Sequence, residues 1–383
     1  MPEFTEEQLM IADLARRIAV EKILPVREKY DRSDEFPWEI VEAIAESDLY
    51  GVFIPEEYGG FGGGVTEMAI VTEELSRVCG GIALAFAATG LGAMPLILFG
   101  SDEQKKKYRP QIASGKRLAA FALTEPEAGS DAGNIKTTAK KDGDHYILNG
   151  TKQWITNGGE AEIYTVIGLT DPSRGARGAS AFIVEDGTSG FSYGKKEDKM
   201  GIRGSTTREL IFEDCRIPSE NLLARTGFGF MVAMKTLDMS RPGVAAQAIG
   251  IARGALETAI DYARQRIQFD KPIIANQGLQ WMLSDMATKV EAARALIYEA
   301  ARKADSGEKD ISKISAMSKL FASDVAMEVT TDAVQILGGY GYMREYPVEK
   351  MMRDAKITQI YEGTNQIQRD VIARALIKEA ARK

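Results

Sequence analysis

The spacing of apolar residues changes twice along the 383-residue chain. Up to about residue 115, apolar side chains recur at three- and four-residue intervals, which is typical of amphipathic helices. From about 116 to 226 the interval shortens towards two, which indicates strands. From 227 onwards helical spacing returns in long segments. The sequence therefore predicts an α+β fold with a helical domain over 1–115, a β domain over 116–226 and a helical domain over 227–383.

Two Xaa-Gly pairs predict how strands of the middle segment are connected. Asp142-Gly143 and Asn149-Gly150 each follow a short stretch of alternating residues, and such pairs favour tight hairpin turns. We therefore expect three short strands joined by two turns in this region.

Composition and charge exclude several classes of protein. The content of 44% hydrophobic and 27% charged residues is ordinary for a globular chain, and the net charge of -7 argues against nucleic-acid binding. The acidic start MPEFTEEQL resembles neither a secretory signal nor a transit peptide. No apolar stretch approaches the roughly 20 residues needed to span a bilayer. We expect a cytoplasmic protein without membrane insertion.

Cysteine and histidine usage narrows the chemistry. Cys79 and Cys215 have no metal-site spacing and fit a reducing compartment. His145 is the single histidine of the chain, and we expect it at an exposed strand position. With one histidine, His-based triads and multi-His metal sites are nearly excluded, so no metal is expected and a carboxylate is the expected base.

One carboxylate stands in a sequence context that suits catalysis. Glu362 follows an amphipathic stretch and precedes Gly363, Thr364 and Asn365, which break the helix and can cap the next one. On such a turn an acid can face a cavity, where low dielectric raises its pKa towards that of a general base. The alternative is a solvated glutamate in an ordinary connection between helices.

Neither the G-x-G-x-x-G loop nor the Walker A loop of nucleotide-binding proteins occurs. Seven other segments, in this order along the chain, resemble the acyl-CoA dehydrogenase flavoprotein family: PEEYGG (55–60), FALTEPEAGSDAG (121–133), LNGTKQWITNG (148–158), KMGIRGSTTRELIFEDCRIP (199–218), DMSRPGVAAQAIGIA (238–252), QILGGYGY (335–342) and RDAKITQIYEGTNQIQR (353–369). The resemblance implies a helical N-terminal domain, a central β-barrel-like domain and a C-terminal four-helix bundle. It also implies a homotetramer with one FAD per subunit.

The resemblance implies a flavin site formed by two segments of one subunit. These residues are Phe121, Leu123, Thr124, Gly129, Ser130, Trp154, Ile155 and Thr156. Ser130 is expected near the FAD pyrophosphate or the CoA portion, on a Gly-Ser turn that suits close phosphate approach. Thr156 is expected beside flavin N5. The alternatives are an ordinary β-turn at Gly129-Ser130 and a barrel-core position for Trp154.

A second subunit is expected to complete the FAD site. The residues implied are Arg266, Phe269, Gln277, Gln335, Gly338, Gly339, Thr364 and Gln366. The alternative for Arg266 is an arginine placed at a helix end by the macrodipole. The sequence departs from the family pattern here, because the usual Phe-Gly and Phe-Gln pairs read Phe269-Asp270 and Asn276-Gln277. These departures leave the loop geometry open.

The same resemblance assigns the chemistry. Glu362 is expected to remove the α-proton of an acyl-CoA thioester while flavin N5 takes the β-hydride, and an electron-transfer flavoprotein is the expected electron acceptor. Some relatives carry the base at the position of Ser240, where this chain has no carboxylate. Expected substrate contacts are Ser130, Asp238, Arg241 and Gly363. Asp238 and Arg241 are alternatively a structural i,i+3 pair.

The acyl group is the least determined feature. Residues 80–95 are expected at the acyl end, and the position of the family's glutaryl-binding arginine reads Gly81. Short linear, branched or small cyclic acyl chains all fit, with a butyryl-type enzyme the closest resemblance. Two other functions remain open: an acyl-CoA oxidase that uses O2, and an inactive relative that serves as a binding or assembly protein.

Overall fold

The first part of the chain is helical, as predicted. The computed structural model describes residues 3–382. Within them the N-terminal helices are α1 (Glu6–Ile18), α2 (Arg27–Ser33), α3 (Trp38–Glu46), α4 (Val65–Ser76), α5 (Leu84–Phe99) and α6 (Asp102–Ala113). Capping boxes begin two of them: Thr5 pairs with Gln8 before α1, and Ser101 pairs with Gln104 before α6. Each box satisfies backbone N–H groups that a helix start leaves free.

A single sheet occupies the middle of the chain. Its strands are β1 (Ala119–Ala122), β2 (Thr138–Asp142), β3 (His145–Thr156), β4 (Ile163–Leu169), β5 (Ala179–Glu185), β6 (Phe191–Lys196), β7 (Thr207–Pro218) and β8 (Leu222–Leu223). They lie in the order β6-β7-β3-β2-β4-β5-β8, and β1 pairs in parallel with β4. The rings of Tyr164 on β4 and Phe191 on β6 lie 5.0 Å apart between centroids. These two strands are not neighbours in the sheet, so the contact shows that the sheet is curled. The predicted central β domain is confirmed.

One predicted turn is confirmed and the other is wrong. Asp142 pairs with His145 across the β2–β3 hairpin, whose turn contains Gly143 at φ 59°. Asn149-Gly150 makes no turn, since β3 runs through it with an irregularity in its pairing to β7. A Cβ on Gly150 would lie 2.7 Å from the Cα of Thr137. The glycine therefore allows two backbones to pack closely inside the sheet.

The C-terminal part consists of long helices and one small hairpin. These are α7 (Gly229–Gln265), β9 (Ile267–Gln268), β10 (Lys271–Pro272), α8 (Gln277–Asp305), α9 (Ser312–Leu337), α10 (Val348–Thr358) and α11 (Asn365–Ala380). Helices α7 to α10 share one alanine-rich core, which also takes in Ala69 and Ile70 of α4, and α11 packs on α9. The predicted helical bundle is confirmed. None of the helices within residues 3–382 has the length and apolar character needed to cross a membrane.

The domain boundaries proposed after residues 115 and 226 fall in connections between these elements. Helix α6 ends at Ala113 and β1 begins at Ala119, while β8 ends at Leu223 and α7 begins at Gly229.

Helix α10 is anchored to the rest of the molecule by charged side chains. The carboxylate of Asp354 accepts a hydrogen bond from the backbone N–H of Ile202 at 2.6 Å and pairs with the buried Lys350. The guanidinium of Arg353 binds Asp31 at 2.7 Å. These contacts fix the helix that leads into the turn around Glu362.

Candidate active site

A cavity of about 520 Å³ lies where the sheet, helices α4, α5 and α7 and the turn before α11 meet. Its wall includes these residues predicted as site residues: Phe121, Leu123, Thr124, Gly129, Ser130, Trp154, Ile155, Thr156, Arg241, Glu362 and Gly363. Apolar side chains of α4, α5 and α7 form another part of the wall, such as Met68, Leu84, Leu91 and Val244. One cavity thus joins segments of the chain from Met68 on α4 to Arg374 on α11.

Glu362 lies on the predicted turn, between the end of α10 and the start of α11. Its backbone is in the left-handed region at φ 50°, and Gly363 follows at φ 90°. Thr364 is the N-cap of α11 and accepts a hydrogen bond from the Ile367 N–H at 3.3 Å. A left-handed non-glycine residue is strained, and such strain tends to occur at functional sites. The alternative of a fully solvated glutamate is wrong, because Glu362 lines the cavity.

Opposing effects set the pKa of the Glu362 carboxyl. Burial raises its pKa, which is the largest effect. A hydrogen bond that the Ser240 hydroxyl donates to Oε2 at 2.5 Å lowers the pKa again, as do the positive charges of Arg241 and Lys319. The net pKa lies above the usual range for a glutamate. A carboxylate with a raised pKa in a cleft is suited to proton abstraction.

Trp154 is exposed in the cavity wall. It lies on β3 at φ 57°, between Lys152 and Ile155, where the pairing of β3 with β7 shifts register. The residue is 57% exposed. The irregularity turns the indole away from the sheet interior. The alternative that Trp154 is a core residue is therefore wrong.

The segment after β1 is fixed by a buried ion pair that sequence reasoning missed. The ammonium of Lys152 donates to Glu125 Oε1 at 2.7 Å and to the Leu123 carbonyl at 2.9 Å. Burial lowers the pKa of Lys152 to about 8. The Gln153 N–H donates to the Thr124 carbonyl at 2.8 Å, which ties the segment to β3. A tight turn joins Glu125 to Ala128 just before Gly129. The alternative of a β-turn at Gly129-Ser130 itself stays a prediction.

Asp238 and Arg241 differ in their relation to the cavity. Arg241 lines it, while Asp238 does not. The Arg241 guanidinium binds Asp238 at 3.0 Å, and the second carboxylate oxygen of Asp238 accepts a hydrogen bond from Ser312 at 2.5 Å. Both residues are buried, so this is a structural pair at helical i,i+3 spacing. Contact of Asp238 with a substrate stays a prediction.

The residues predicted to act from a second subunit form a separate group. Arg266, Gly338 and Gly339 line a surface cavity of about 480 Å³, and the Arg266 guanidinium lies 5.4 Å from the centre of the Tyr340 ring. Arg266 is indeed the C-terminal cap of α7. The other predicted members lie in nearby elements or at the start of α11 and line neither cavity: Phe269, Gln277, Gln335, Thr364 and Gln366.

The unusual Phe269-Asp270 pair forms the turn of the β9–β10 hairpin. Gln268 pairs with Lys271, which leaves two turn residues. Both are left-handed, with φ 53° at Phe269 and 62° at Asp270. This kind of two-residue turn favours glycine at its second position, where this chain has Asp270. Aspartate enters the left-handed region more readily than most L-residues, so Asp270 can stand where the family pattern has glycine. Phe269 is 93% exposed at its tip.

Sequence reasoning also missed the residues that surround the turn of Glu362. Gln247 on α7 accepts a hydrogen bond from the Tyr361 hydroxyl, and both line the cavity. Lys319 on α9 and Gln368 on α11 bind backbone carbonyls of the turn. A lysine or glutamine on a helical pattern carries no sign of such a role in the sequence.

Comparison with known proteins agrees with this arrangement. Three family models match in chain order: the acyl-CoA dehydrogenase N-terminal domain over 5–116, the middle domain over 120–215 and the C-terminal domain over 227–377. An acyl-CoA dehydrogenase of Bacillus subtilis is 50% identical over 374 residues, which is 97% of this chain and 98% of that one.

Two solved structures share the fold. The butyryl-CoA dehydrogenase of Megasphaera elsdenii superposes with a TM-score of 0.96 at 46% identity, covering 98% of this chain and 100% of that one. An acyl-CoA dehydrogenase of Bacillus anthracis complexed with FAD superposes with a TM-score of 0.92 at 38% identity, covering 99% and 69%. This chain belongs to the acyl-CoA dehydrogenase family.

Proposed function

We propose that the protein oxidises a short-chain acyl-CoA thioester to the trans-2-enoyl-CoA, with FAD as cofactor and an electron-transfer flavoprotein as electron acceptor. The position of Glu362 carries this proposal. Its carboxylate opens into the same cavity as Phe121, Trp154 and Thr156, which the family resemblance assigns to the flavin. A substrate held between the two groups has its α-carbon within reach of a base.

FAD fits the residues that are present. Trp154 and the half-buried Phe121 give the cavity an apolar wall, and Thr156 adds a hydroxyl to it. At the second cavity, a Cβ on Gly338 or Gly339 would meet nothing within 4 Å, so a further group can approach this backbone closely. When bound, FAD supplies the hydride acceptor of the reaction. Phe121, Thr124, Ser130, Trp154 and Thr156 would hold its ring and pyrophosphate.

Glu362 supplies two functions at one residue. Its carboxylate takes the α-proton, assisted by a pKa that burial raises. Its backbone N–H has no hydrogen-bond acceptor within residues 3–382. We assign this N–H to the thioester oxygen, where a fixed donor in a low-dielectric cavity stabilises the negative charge that develops on loss of the α-proton. Arg241 adds a positive charge to the same wall.

The wall composition supports a short, uncharged acyl group. Met68, Leu84, Ala87, Ala88 and Leu91 form an apolar side of the cavity. Gly81 does not line it, because it packs against the backbone of Ile202, to which a Cβ would come within 3.0 Å. The family position of the glutaryl-binding arginine therefore offers no cation here. The arginines of the cavity wall, Arg241 and Arg374, stand on α7 and α11, so a distal carboxylate on this apolar side would be without a partner.

A homotetramer is part of the proposal. Arg266, Gly338 and Gly339 form an outward-facing cavity that shares no wall residue with the cavity of Glu362. Phe269 and Tyr342 follow and precede the wall residues Gln268 and Met343 in the chain, and they are 93% and 79% exposed. Trp281 on α8 is also exposed, at 62%. Aromatic residues are enriched at protein interfaces relative to the rest of the surface. We propose that this face completes the FAD site of a neighbouring subunit.

The test is a visible spectrum followed by anaerobic titration. We expect the purified protein to carry one FAD per subunit, and its flavin to bleach with butyryl-CoA faster than with octanoyl-CoA or glutaryl-CoA. Isobutyryl-CoA and cyclohexanecarbonyl-CoA test branched and cyclic chains. A folded protein that binds no flavin, or a flavin that no acyl-CoA bleaches, contradicts the proposal. Rapid reoxidation by air, compared with an electron-transfer flavoprotein, would identify an oxidase instead.

A further inference from the structure

A buried lysine lies directly behind the turn that carries Glu362. Lys319 is on α9 and is 0% exposed. It does not line the cavity. Its ammonium donates to the Gly363 carbonyl at 2.8 Å and to Asn365 Oδ1 at 2.9 Å. A buried ammonium group is costly unless its hydrogen bonds are made, so these acceptors and the lysine depend on each other.

The Gly363 carbonyl has a second donor, which also binds the neighbouring carbonyl of Glu362. The Gln368 side-chain amide donates to the carbonyls of Glu362 at 3.1 Å and of Gly363 at 2.8 Å. Asn365, which accepts from Lys319, in turn donates to Asp324 at 2.8 Å. The two carbonyls of the turn are thereby held by side chains of α9 and α11. Neither Lys319 nor Gln368 lines the cavity, whereas Glu362 and Gly363 do.

The turn needs such support because its backbone is strained. Glu362 adopts φ 50°, a left-handed conformation that non-glycine residues rarely take and that persists only when the surroundings enforce it. Relaxation to a right-handed conformation would move both the carboxylate and the N–H. Misplacement of a catalytic group by about 1 Å can cost on the order of 10²-fold in rate.

We infer that Lys319 is a positioning residue for the base: it holds the turn 362–365 so that the carboxylate and the N–H of Glu362 face the substrate together. The inference rests on the proposed function, since it takes Glu362 as the base. The charged groups that face Lys319 are Glu362 on the turn, Arg241 on α7 and Asp324 on α9. The positive charge of Lys319 also favours the carboxylate form of Glu362.

The protonation state of Lys319 is coupled to that of Glu362. Burial lowers the pKa of Lys319 to about 7, and the negative charge of Glu362 opposes this decrease. The ammonium form, which makes both hydrogen bonds to the turn, is therefore favoured while Glu362 is ionised. The support for the turn is strongest in the state that is ready to accept a proton.

The test compares Lys319→Met with Lys313→Met in the FAD-loaded enzyme. Methionine keeps the apolar stem and removes the donors and the charge, while Lys313 is a partly exposed lysine on the same helix, paired with Glu379. Hydrogen–deuterium exchange of residues 360–366 reports on the turn without catalysis. Anaerobic flavin reduction by butyryl-CoA across pH reports on the base.

For Lys319→Met we expect faster exchange in 360–366 and flavin reduction slowed by about 10- to 100-fold. We also expect the acid limb of the pH profile at higher pH, because the carboxylate loses a neighbouring positive charge. Lys313→Met should match the wild type in exchange, in the rate of flavin reduction and in the position of the acid limb. Unchanged exchange and rate in Lys319→Met overturn the inference. So does a slower rate without a shifted acid limb, since that indicates general destabilisation.

If Lys319→Met does not fold, a second variant, Lys319→Arg, tests the same inference. Lys319→Arg keeps the positive charge but changes the hydrogen-bond geometry, so we expect faster exchange with an acid limb close to wild type. Wild-type exchange in this variant would contradict the positioning role. Glu362→Gln distinguishes failure of the proposed function from failure of this inference. If this variant still reduces flavin rapidly, the proposed function fails. Hydrogen–deuterium exchange in Lys319→Met still tests whether the lysine supports the turn.

Discussion

The hydroxyl of Ser240 donates a hydrogen bond of 2.5 Å to Oε2 of Glu362. It joins the middle of α7 to the turn between α10 and α11 and fixes one carboxylate oxygen in the cavity wall. By family resemblance, other members carry their base at the position of Ser240. The short distance explains how this is possible, since side chains from both positions reach the same point. In this chain a carboxylate stands at one position and its hydrogen-bond donor at the other.

Ser240→Ala should shift the pH dependence of flavin reduction. The lost hydrogen bond stabilises the carboxylate, so the pKa of Glu362, already raised by burial, rises further. The base is active when ionised, so activity falls as pH decreases through this pKa. We therefore expect the acid limb at higher pH, with the rate largely retained on the alkaline side. Stopped-flow reduction by butyryl-CoA from pH 6 to 9 measures this. An unshifted limb would show that the hydrogen bond does not form in the substrate complex.

Glu362→Gln should abolish flavin reduction while the site remains intact. Glutamine keeps the volume and the backbone N–H but cannot accept a proton. General-base catalysis commonly contributes 10²- to 10⁴-fold, and we expect a loss at the upper end of that range or beyond. Within residues 3–382 the other acids that line the cavity are Asp131 and Asp370, and both are exposed, so neither has the buried setting of Glu362. FAD content, melting temperature and acyl-CoA binding are the controls and should be unchanged. A variant that bleaches at near wild-type rate would make Asp131 and Asp370, the other acids of the cavity wall, the next residues to test.

Arg266→Ala should weaken FAD retention and tetramer stability together. Arg266 lines the outward-facing cavity with Gly338 and Gly339, which we assign to the cofactor of a neighbouring subunit. Removal of the guanidinium takes away a cation proposed for the pyrophosphate. Flavin content after gel filtration and the apparent mass by light scattering measure both effects. Loss of FAD from a tetramer with unchanged melting would contradict a shared site.

Asp270 can be tested by two substitutions with opposite expectations. Asp270→Gly should keep the hairpin, because glycine adopts φ 62° freely. Asp270→Val should disrupt it, because a left-handed conformation costs about 1–2 kcal/mol for an ordinary L-residue and is least tolerated by β-branched side chains. Thermal melting and FAD retention should be near wild type for the first and reduced for the second. Equal behaviour would show that the turn does not depend on this backbone conformation.

Several features of this protein are local, and the sequence alone predicted them correctly. The three regions of different periodicity became a helical domain, a sheet and a helical bundle, because apolar spacing decides which backbone can bury one face. The turn at Asp142-Gly143 formed because its residues need no distant partner. The break at Gly363 and Thr364 likewise ended one helix and capped the next.

Other features depend on contacts between distant segments, and the tertiary structure decided them. Asn149-Gly150 has the pattern of a turn but lies inside β3, because Gly150 packs against Thr137 and β7 continues the pairing. Trp154 looks like a core residue, yet the irregular pairing of β3 turns it into the cavity. Lys152 and Lys319 look like ordinary lysines and are both fully buried. The family resemblance named Glu362 and its flavin partners from the sequence. Only the packing of α7 and α9 around the turn supplied the hydroxyl and the ammonium group that hold it, because hydrogen bonds between residues more than 40 positions apart leave no periodic trace in a sequence.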